Sequence, residues 1–270
     1  MSTDRPLLGP TQQTMTLTLS VRAADNRSGA PILGDRWAED ALARINGPDP
    51  GAAIRRDAAA GALCRTRQLD DWTRAFLAER PDAVVLHLGC GLDARALRVD
   101  PAPGVLWYDV DYPEVIALRQ RLYSAGAGYR MIGASVTDPS WADGVPVDRP
   151  TLVVAEGLLM YLPAEEVRRL LRRVTAGRAG RLACDVELPW AARLARFDPV
   201  LRRTGAVHQW GVRDLGGLSQ WVPALRLLAE HGVTALPGIA NTAPAYRRLY
   251  GAMNRVPALR DSMRVALFSF

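Results

Sequence analysis

Two rhythms of apolar and polar residues divide the chain. From Thr14 to Arg80 apolar positions recur at helical spacing, and after Pro81 short apolar runs alternate with helical stretches. In the first part, Asp35 is placed to cap a helix through Trp37, Ala38, Ala41, Leu42 and Ile45 that stops at Gly47-Pro48. A second helix is expected over Ala58 to Glu79, with Leu63, Leu69, Trp72, Phe76 and Leu77 as its apolar stripe. Then come a strand at Val84–Leu88, a helix at Leu92–Val99 and a strand at Val105–Val110. Pro113 opens a helix continuing over Glu114–Ala125, and strands follow at Tyr129–Ile132 and Thr151–Ala155. Pro163–Thr175 reads as a helix with Glu165 and Glu166 near its positive end, and Arg181–Val186 as a fifth strand.

The last third breaks this rhythm. Pro189–Asp214 is rich in arginines and aromatics with few strand signals, which suggests a lid-like segment over about 189–215. Leu218–His231 reads as a helix, and Thr234–Pro237 and Arg264–Phe270 as two strands closing the sheet edge. The pattern predicts an α/β fold with a mostly parallel, doubly wound sheet and helices on both faces. Residues 1–80 would form a helical cover for cofactor and substrate, and residues 81–270 the catalytic core.

Composition narrows the picture. The 270 residues are 49% apolar, enough for a sizeable core. The net charge of +6 comes entirely from arginine, because the chain has no lysine; Schiff-base and P-loop lysine chemistry are thereby excluded. The arginines are spread along the chain, and the one dense cluster, Arg168, Arg169, Arg172 and Arg173, has the spacing of a solvated helix face. No nucleic-acid partner is expected. Cys64, Cys90 and Cys184 lack zinc spacing and fit free thiols, and no two of the three histidines stand at i, i+4, so no metal is expected. No apolar run reaches ~18 residues and the start lacks a signal-peptide layout, which predicts a cytoplasmic protein with no membrane partner. The first dozen residues are polar and proline-interrupted and are expected to be disordered.

The chemistry begins at VVLHLGCGLDARALRV. Gly89 and Gly91 lack a Cβ, so backbone can turn sharply after the strand and approach a ligand. A plain strand-to-helix turn is the simpler reading of these glycines alone. Asp111, twenty positions after Gly91, ends the next strand, where a carboxylate can accept both hydroxyls of a ribose. That suits NAD(H) and S-adenosylmethionine equally. Asp93 would repel a pyrophosphate but not an α-ammonium; as a first-turn acid or cap of the helix it would need no ligand. Glu156 ends the fourth strand, and a buried carboxylate there needs a partner, either a cationic ligand or an arginine. Tyr161 can turn its hydroxyl into the same pocket or serve as a core tyrosine.

VVLHLGCGLDARALRV, WYDVDYPEVIALRQRL and VVAEGLLMYLPAEEV, in this order and spacing, resemble the leucine carboxyl methyltransferase-like family, which includes protein phosphatase methyltransferases and bacterial polyketide O-methyltransferases of the tetracenomycin type. ILGDRWAEDAL, RTRQLDDWTRAFL and HQWGVRDL are similar to family segments, and the chain length resembles the bacterial branch. The resemblance implies a class I, seven-stranded methyltransferase fold with S-adenosylmethionine as donor and S-adenosylhomocysteine as product. It implies that Arg65 pairs with the cofactor carboxylate, with Arg67 a second candidate. Gly89 and Gly91 would line the methionine portion, Asp111 would hold the ribose, and Glu156 would stand by the amino or sulfonium end. Where the family has Asp-Leu to hold adenine, this chain has Ser135-Val136, with Asp138 as a possible substitute. Some members use an N-terminal lysine; Arg22 is the candidate here and, with Trp210, a candidate substrate contact.

The acceptor sets the remaining requirement. A carboxylate is ionised at neutral pH and needs no base, whereas a phenol of pKa ~10 gains from one. His208, the only histidine of the lid-like segment, is the candidate base, and Tyr161 a second catalytic candidate. His87 and His231 look structural, and Arg95 and Arg98 look like helix surface. Trp190, Phe197, Trp210 and Trp221 offer apolar walls for a flat substrate, or simply pack the lid. The expectation is an O-methyltransferase acting on a carboxylate or phenol of a small natural product, an aromatic polyketide first. Methylation of a protein C-terminus is the lesser variant. The alternatives are an NAD(P)-dependent oxidoreductase, which Asp93 and the missing Tyr-x-x-x-Lys pair oppose, and a non-catalytic ligand-binding protein of the same fold. Oligomeric state is not legible.

Overall fold

A computed structural model of the protein describes residues 10–45, 55–124, 126–198, 201–202 and 205–270, with side chains from Met15 onward. Its centre is a seven-stranded sheet in the order β3-β2-β1-β4-β5-β7-β6. The strands are β1 (Val84–Leu88), β2 (Leu106–Asp111), β3 (Tyr129–Gly133), β4 (Thr151–Ala155), β5 (Gly180–Glu187), β6 (Arg226–Gly232) and β7 (Met263–Ser269). The first five run parallel, and β7 lies antiparallel between β5 and β6. Because β1 and β4 are buried on both faces, they read as continuous apolar runs rather than alternations.

The helices are α1 (Pro10–Asn26), α2 (Arg36–Arg44), α3 (Ala60–Glu79), α4 (Arg95–Val99), α5 (Pro113–Leu122), α6 (Ala164–Thr175), α7 (Pro189–Ala195), α8 (Pro244–Asn254) and α9 (Pro257–Arg260). On one face of the sheet Leu86 and Val153 pack with Val167 and Leu171 of α6. On the other, Val85 and Leu152 pack with Leu63, Leu69 and Phe76 of α3. A third cluster joins Met15 and Leu19 of α1 to Ala38 and Ala41 of α2, to Leu92 after the glycine turn and to Val115 of α5. The N-terminal helices are thereby fastened over the carboxyl ends of the strands.

Asp35 caps α2 by accepting the Ala38 N–H at 3.1 Å, and α2 ends at Arg44. The proposed stop at Gly47-Pro48, Ala125 at the end of the predicted fifth helix, and the first nine residues lie outside the described residues, whereas α1 already begins at Pro10. The helix predicted from Leu92 starts only at Arg95.

Two expectations in the last third are overturned. Leu218–His231 is not a helix: a 3-10 turn over Gly216–Gln220 leads into β6. Pro223 cannot continue a helix, and the Leu-rich run after it finds its backbone partners in β7, with a bulge between Leu227 and Ala229. Thr234–Pro237 is not a strand. The chain has left the sheet after Gly232 and forms 3-10 turns over Val233–Ala235 and Pro237–Asn241. The expected last strand is present as β7.

Candidate active site

A cavity of about 580 Å³ lies beyond the carboxyl ends of the parallel strands, between the glycine turn, α1 and α3. Gly89 and Gly91 both hold positive φ, +61° and +47°. A Cβ on Gly89 would stand 2.9 Å from Leu158 Cδ1, so that turn is closed to larger residues. The Gly91 N–H donates to Asp111 Oδ2 at 2.7 Å, and the Tyr112 N–H to Oδ1 at 2.8 Å. These bonds fix the carboxylate against the cavity, although burial still pushes its pKa up.

Around the methionine-proposed end, charges interlock. Arg65 donates through Nε to Glu156 Oε1 (3.1 Å) and through NH1 to Asp185 Oδ2 (2.8 Å). Arg22, reaching down from α1, stands 3.1 Å from Asp93 and 3.6 Å from Glu156. Arg95 is wholly buried and contacts Asp70 (2.7 Å), Asp93 (3.4 Å) and Glu156. Arg98 meets Asp35 (2.6 Å), Asp70 (2.8 Å) and Asp93 (2.7 Å). Burial alone would raise the Glu156 carboxyl, but Arg65, Arg95 and Arg22 hold it at about 2. Asp93 is likewise pulled well below the carboxylate range by Arg22, Arg98 and Arg95 against its burial. Asp185 goes the other way: burial outweighs Arg65, and the Glu156 charge adds to the rise.

His87 links this network to a second one. Arg95 NH1 stands 3.3 Å from its Nε2, which places the ring proton on Nδ1, 3.0 Å from Asp109 Oδ1. Asp109 also accepts Trp107 Nε1–H at 2.8 Å and pairs with Arg119 and Tyr129.

The rest of the lining is mostly apolar, with Leu63, Met160, Leu201 and Met263 in the walls and Met263 Sδ 3.7 Å from Arg65 NH1. There His208 Nδ1 lies 2.9 Å from Glu187 Oε2, and Tyr161 stands edge-on to the histidine ring at 4.8 Å between centroids. The segment carrying His208 is held to the sheet because the Gln209 N–H donates to Met160 O at 2.7 Å and the Val212 N–H to Glu187 O at 2.7 Å.

Of the residues singled out in the sequence, Arg22, Arg65, Gly89, Gly91, Asp93, Asp111, Glu156, Tyr161 and His208 meet at this cavity. Four others do not. Arg67 is half-exposed and donates to Ile32 O at 3.0 Å, because a position two residues further along α3 lies about 200° round the helix from Arg65. Ser135 closes a local turn with Thr137 (2.8 Å), and Val136 packs in the core beneath α6. Asp138 is occupied capping the turn at Ser140. Trp210 is buried in the core against Trp221 at 6.0 Å and lines no part of the cavity; Phe197 is 60% exposed. Arg95 and Arg98, expected on a helix surface, are buried in the ion network. Arg22 contacts carboxylates of the protein rather than open cavity alone.

Asp185 and Glu187 escaped the sequence reading, although a signal existed. Both end β5 on alternate positions, as Glu156 follows β4, and a carboxylate at the end of a buried strand calls for a partner. Asp35 and Asp70 gave no comparable sign.

The donor set fits the expected cofactor. Four buried guanidinium groups and the half-exposed Arg74 face five carboxylates in the network, and Asp111 adds a further negative charge. An amino acid moiety bearing an ammonium and a sulfonium complements that excess, and a pyrophosphate does not. Arg65 retains NH2, which would stand 3.7 Å from a Cβ on Gly157, beyond the two carboxylates it already serves.

A family model described as leucine carboxyl methyltransferase matches residues 16–175. The chain is 43% identical to the tetracenomycin polyketide synthesis O-methyltransferase TcmP of Streptomyces glaucescens, over 96% of each chain. It is 33% identical to the S-adenosyl-L-methionine-dependent methyltransferase dpfgK of Gibberella zeae, over 80% of each. Among solved structures, a DUF574 family protein from Streptomyces avermitilis superposes with a TM-score of 0.55 at 15% identity, covering 93% of this chain and 96% of that one. Magnesium protoporphyrin IX methyltransferase from Synechocystis, solved with bound SAH, gives 0.50 at 13% identity, covering 87% and 95%. At these identities the two structures show the fold alone.

Proposed function

The chain belongs to the leucine carboxyl methyltransferase family, and from that premise we propose that it transfers a methyl group from S-adenosylmethionine to an oxygen of a small natural product, an aromatic polyketide first. The observation that carries the reading is the pairing of two features across one cavity. The Asp111 carboxylate is fixed by the N–H groups at Gly91 and Tyr112, and the Arg65–Glu156 pair stands in an ion network that also holds Asp93 and Asp185. When bound, S-adenosylmethionine supplies a methyl group activated by sulfonium.

The residues of this chain do the rest. Asp111 accepts the ribose hydroxyls, and Gly89 and Gly91 let backbone come close. Arg65 offers NH2 to the cofactor carboxylate, and Glu156 faces its cationic end. Arg22 locks α1 over them through Asp93 and Glu156. The apolar walls at the His208 end exclude water and orient a flat acceptor. Synthesis of an antibiotic-type polyketide in the cytoplasm agrees with the three buried free thiols and with the polyketide relative. No helix among the described residues is long and apolar enough to cross a membrane.

Calorimetric titration with S-adenosylmethionine, S-adenosylhomocysteine and NADH tests the reading. Binding of both sulfur ligands and not NADH is expected. Binding of NADH alone would overturn it.

A further inference from the structure

We propose that Arg119 is a positioning residue for the cofactor: with Tyr123 it holds the glycine turn in register with Asp111. This rests on the methyltransferase reading above. Gly91 is gripped at both of its backbone groups by one unit of the chain, β2 with α5. Its N–H donates to Asp111 Oδ2 at 2.7 Å, at the end of β2. Its carbonyl accepts Arg119 NH1 at 2.8 Å, from the last turn of α5. The same NH1 donates to Asp93 O at 2.9 Å, and the Tyr123 hydroxyl donates to Leu92 O at 2.9 Å. Three successive carbonyls, those of Gly91, Leu92 and Asp93, are thereby drawn toward α5. Arg119 and Tyr123 stand four residues apart, on the stripe that begins with Val115, and Val115 and Tyr123 share an apolar cluster with Leu92. The guanidinium carbon lies 5.2 Å from the Tyr123 ring centre, so the two side chains also hold each other.

Glycine makes this hold necessary. Gly91 has no Cβ to restrict its dihedrals, so the peptide planes beside it turn freely unless something fixes them. Arg119 can fix them because its other edge is anchored in the sheet. NH2 pairs with Asp109 and donates to the Tyr129 hydroxyl at 3.0 Å. Asp109 is in turn held by Trp107 Nε1 at 2.8 Å and His87 Nδ1 at 3.0 Å. A planar guanidinium spans the anchor and the turn at once, which a single ammonium on a flexible stem does not. Arg119 is 1% exposed, and among the described lining residues neither it nor Tyr123 appears, so both act on a ligand only through the backbone they hold. A turn ordered before the ligand arrives leaves less to be ordered on binding, and affinity rises accordingly. The ribose carboxylate and the turn therefore move as one piece, with Arg119 as the link.

The test uses the full chain and needs no acceptor. It reads the calorimetric affinity for S-adenosylhomocysteine and the amide hydrogen exchange of residues 89–94 in the free protein. Arg119→Lys keeps a cation beside Asp109 and loses the span to the turn. It should weaken S-adenosylhomocysteine at least about tenfold and speed exchange across residues 89–94, while circular dichroism matches the parent. Tyr123→Phe removes only the bond to Leu92 O and should weaken the ligand about fivefold, the scale of one hydrogen bond; it decides the matter if the lysine variant does not fold. Thr175→Val controls for lost stability alone, because it removes a buried hydroxyl's bond to Leu171 O within α6, away from the cavity. It should leave both readings as in the parent. A folded Arg119→Lys, or Tyr123→Phe in its place, that binds S-adenosylhomocysteine within twofold of the parent or exchanges residues 89–94 at the parent's rate would overturn the proposal and leave the methyltransferase reading intact. Equal changes in Thr175→Val would overturn it as well. Failure of the parent to bind S-adenosylhomocysteine would remove that reading and the cofactor role of Arg119 with it.

Discussion

The two ends of the cavity are built on opposite principles. At the glycine-turn end, charges from α1, α3, α4, β4 and β5 converge, and each guanidinium serves two or more carboxylates. Along the remaining wall, which meets the network where Met263 Sδ lies 3.7 Å from Arg65 NH1, apolar side chains accompany one histidine–carboxylate contact and one tyrosine. The first end is determined many times over, so its geometry survives without ligand and can recognise one fixed cofactor. The second leaves shape and a single polar corner to choose the acceptor. Buried ion networks specify position at the cost of desolvation, and apolar walls accept many flat molecules of similar outline.

Substitutions should separate the two ends. Arg95→Ala should cost about 3–5 kcal/mol of unfolding free energy, since it removes the wholly buried cation that Asp70, Asp93 and Glu156 share. His208→Ala should cost less, about 1–3 kcal/mol, because it leaves one nearly buried carboxylate, Glu187, without its ring partner. Urea unfolding of both variants checks this, and equal losses would erase the contrast. Next, Asp111→Ala should weaken S-adenosylmethionine about 100-fold by calorimetry, the worth of two hydrogen bonds to a charged acceptor. Less than a threefold change would remove Asp111 from the ribose.

Acid should loosen the ion-rich end first. Glu156 and Asp109 are held at about 2, below their ordinary values near ~4, so the stability they confer is present above the ordinary value and lost as pH falls toward about 2. Differential scanning calorimetry should show Tm falling through that window. A Tm unchanged between pH 5 and pH 2 would mean that the network adds no net stability. The smallest effect belongs to Arg67→Ala. It should leave cofactor affinity within about twofold, as a surface side chain should, whereas Arg65→Ala should weaken it at least about tenfold. Calorimetry on the pair distinguishes two arginines that sequence alone left as rivals.

The legible parts of the site share a cause. Asp111 and Glu156 stood out because a carboxylate at the end of an apolar strand is conspicuous in one dimension. Asp185 and Glu187 carry the same mark on β5 and were readable by the same rule. Arg95 and Arg98 were not, because helical spacing tells which side chains share a face and not what covers it. The packing of α1 and α2 over the glycine turn turned that face inward. Trp210 misled for the converse reason: an aromatic in an irregular segment looks available, but the strap it belongs to presses it into the core. The leucines of β6 suit a helix or an edge strand, and only pairing with β7 decided between them.

By itself, then, the sequence determined the strand rhythm of β1 to β5, the glycine turn and the carboxylates at the strand ends, all of which are encoded within a few neighbouring residues. Tertiary structure alone decided the partners. Arg65 and Asp185 lie 120 residues apart and meet at 2.8 Å. The strap bearing His208 is tied to Glu187 of β5 by the Val212 N–H and to β7 by Arg264, which donates to the carbonyls of Val212 and Arg213. The physical reason is that local pattern fixes the direction of a side chain, whereas an ion pair depends on separation in space and on the solvent excluded around it.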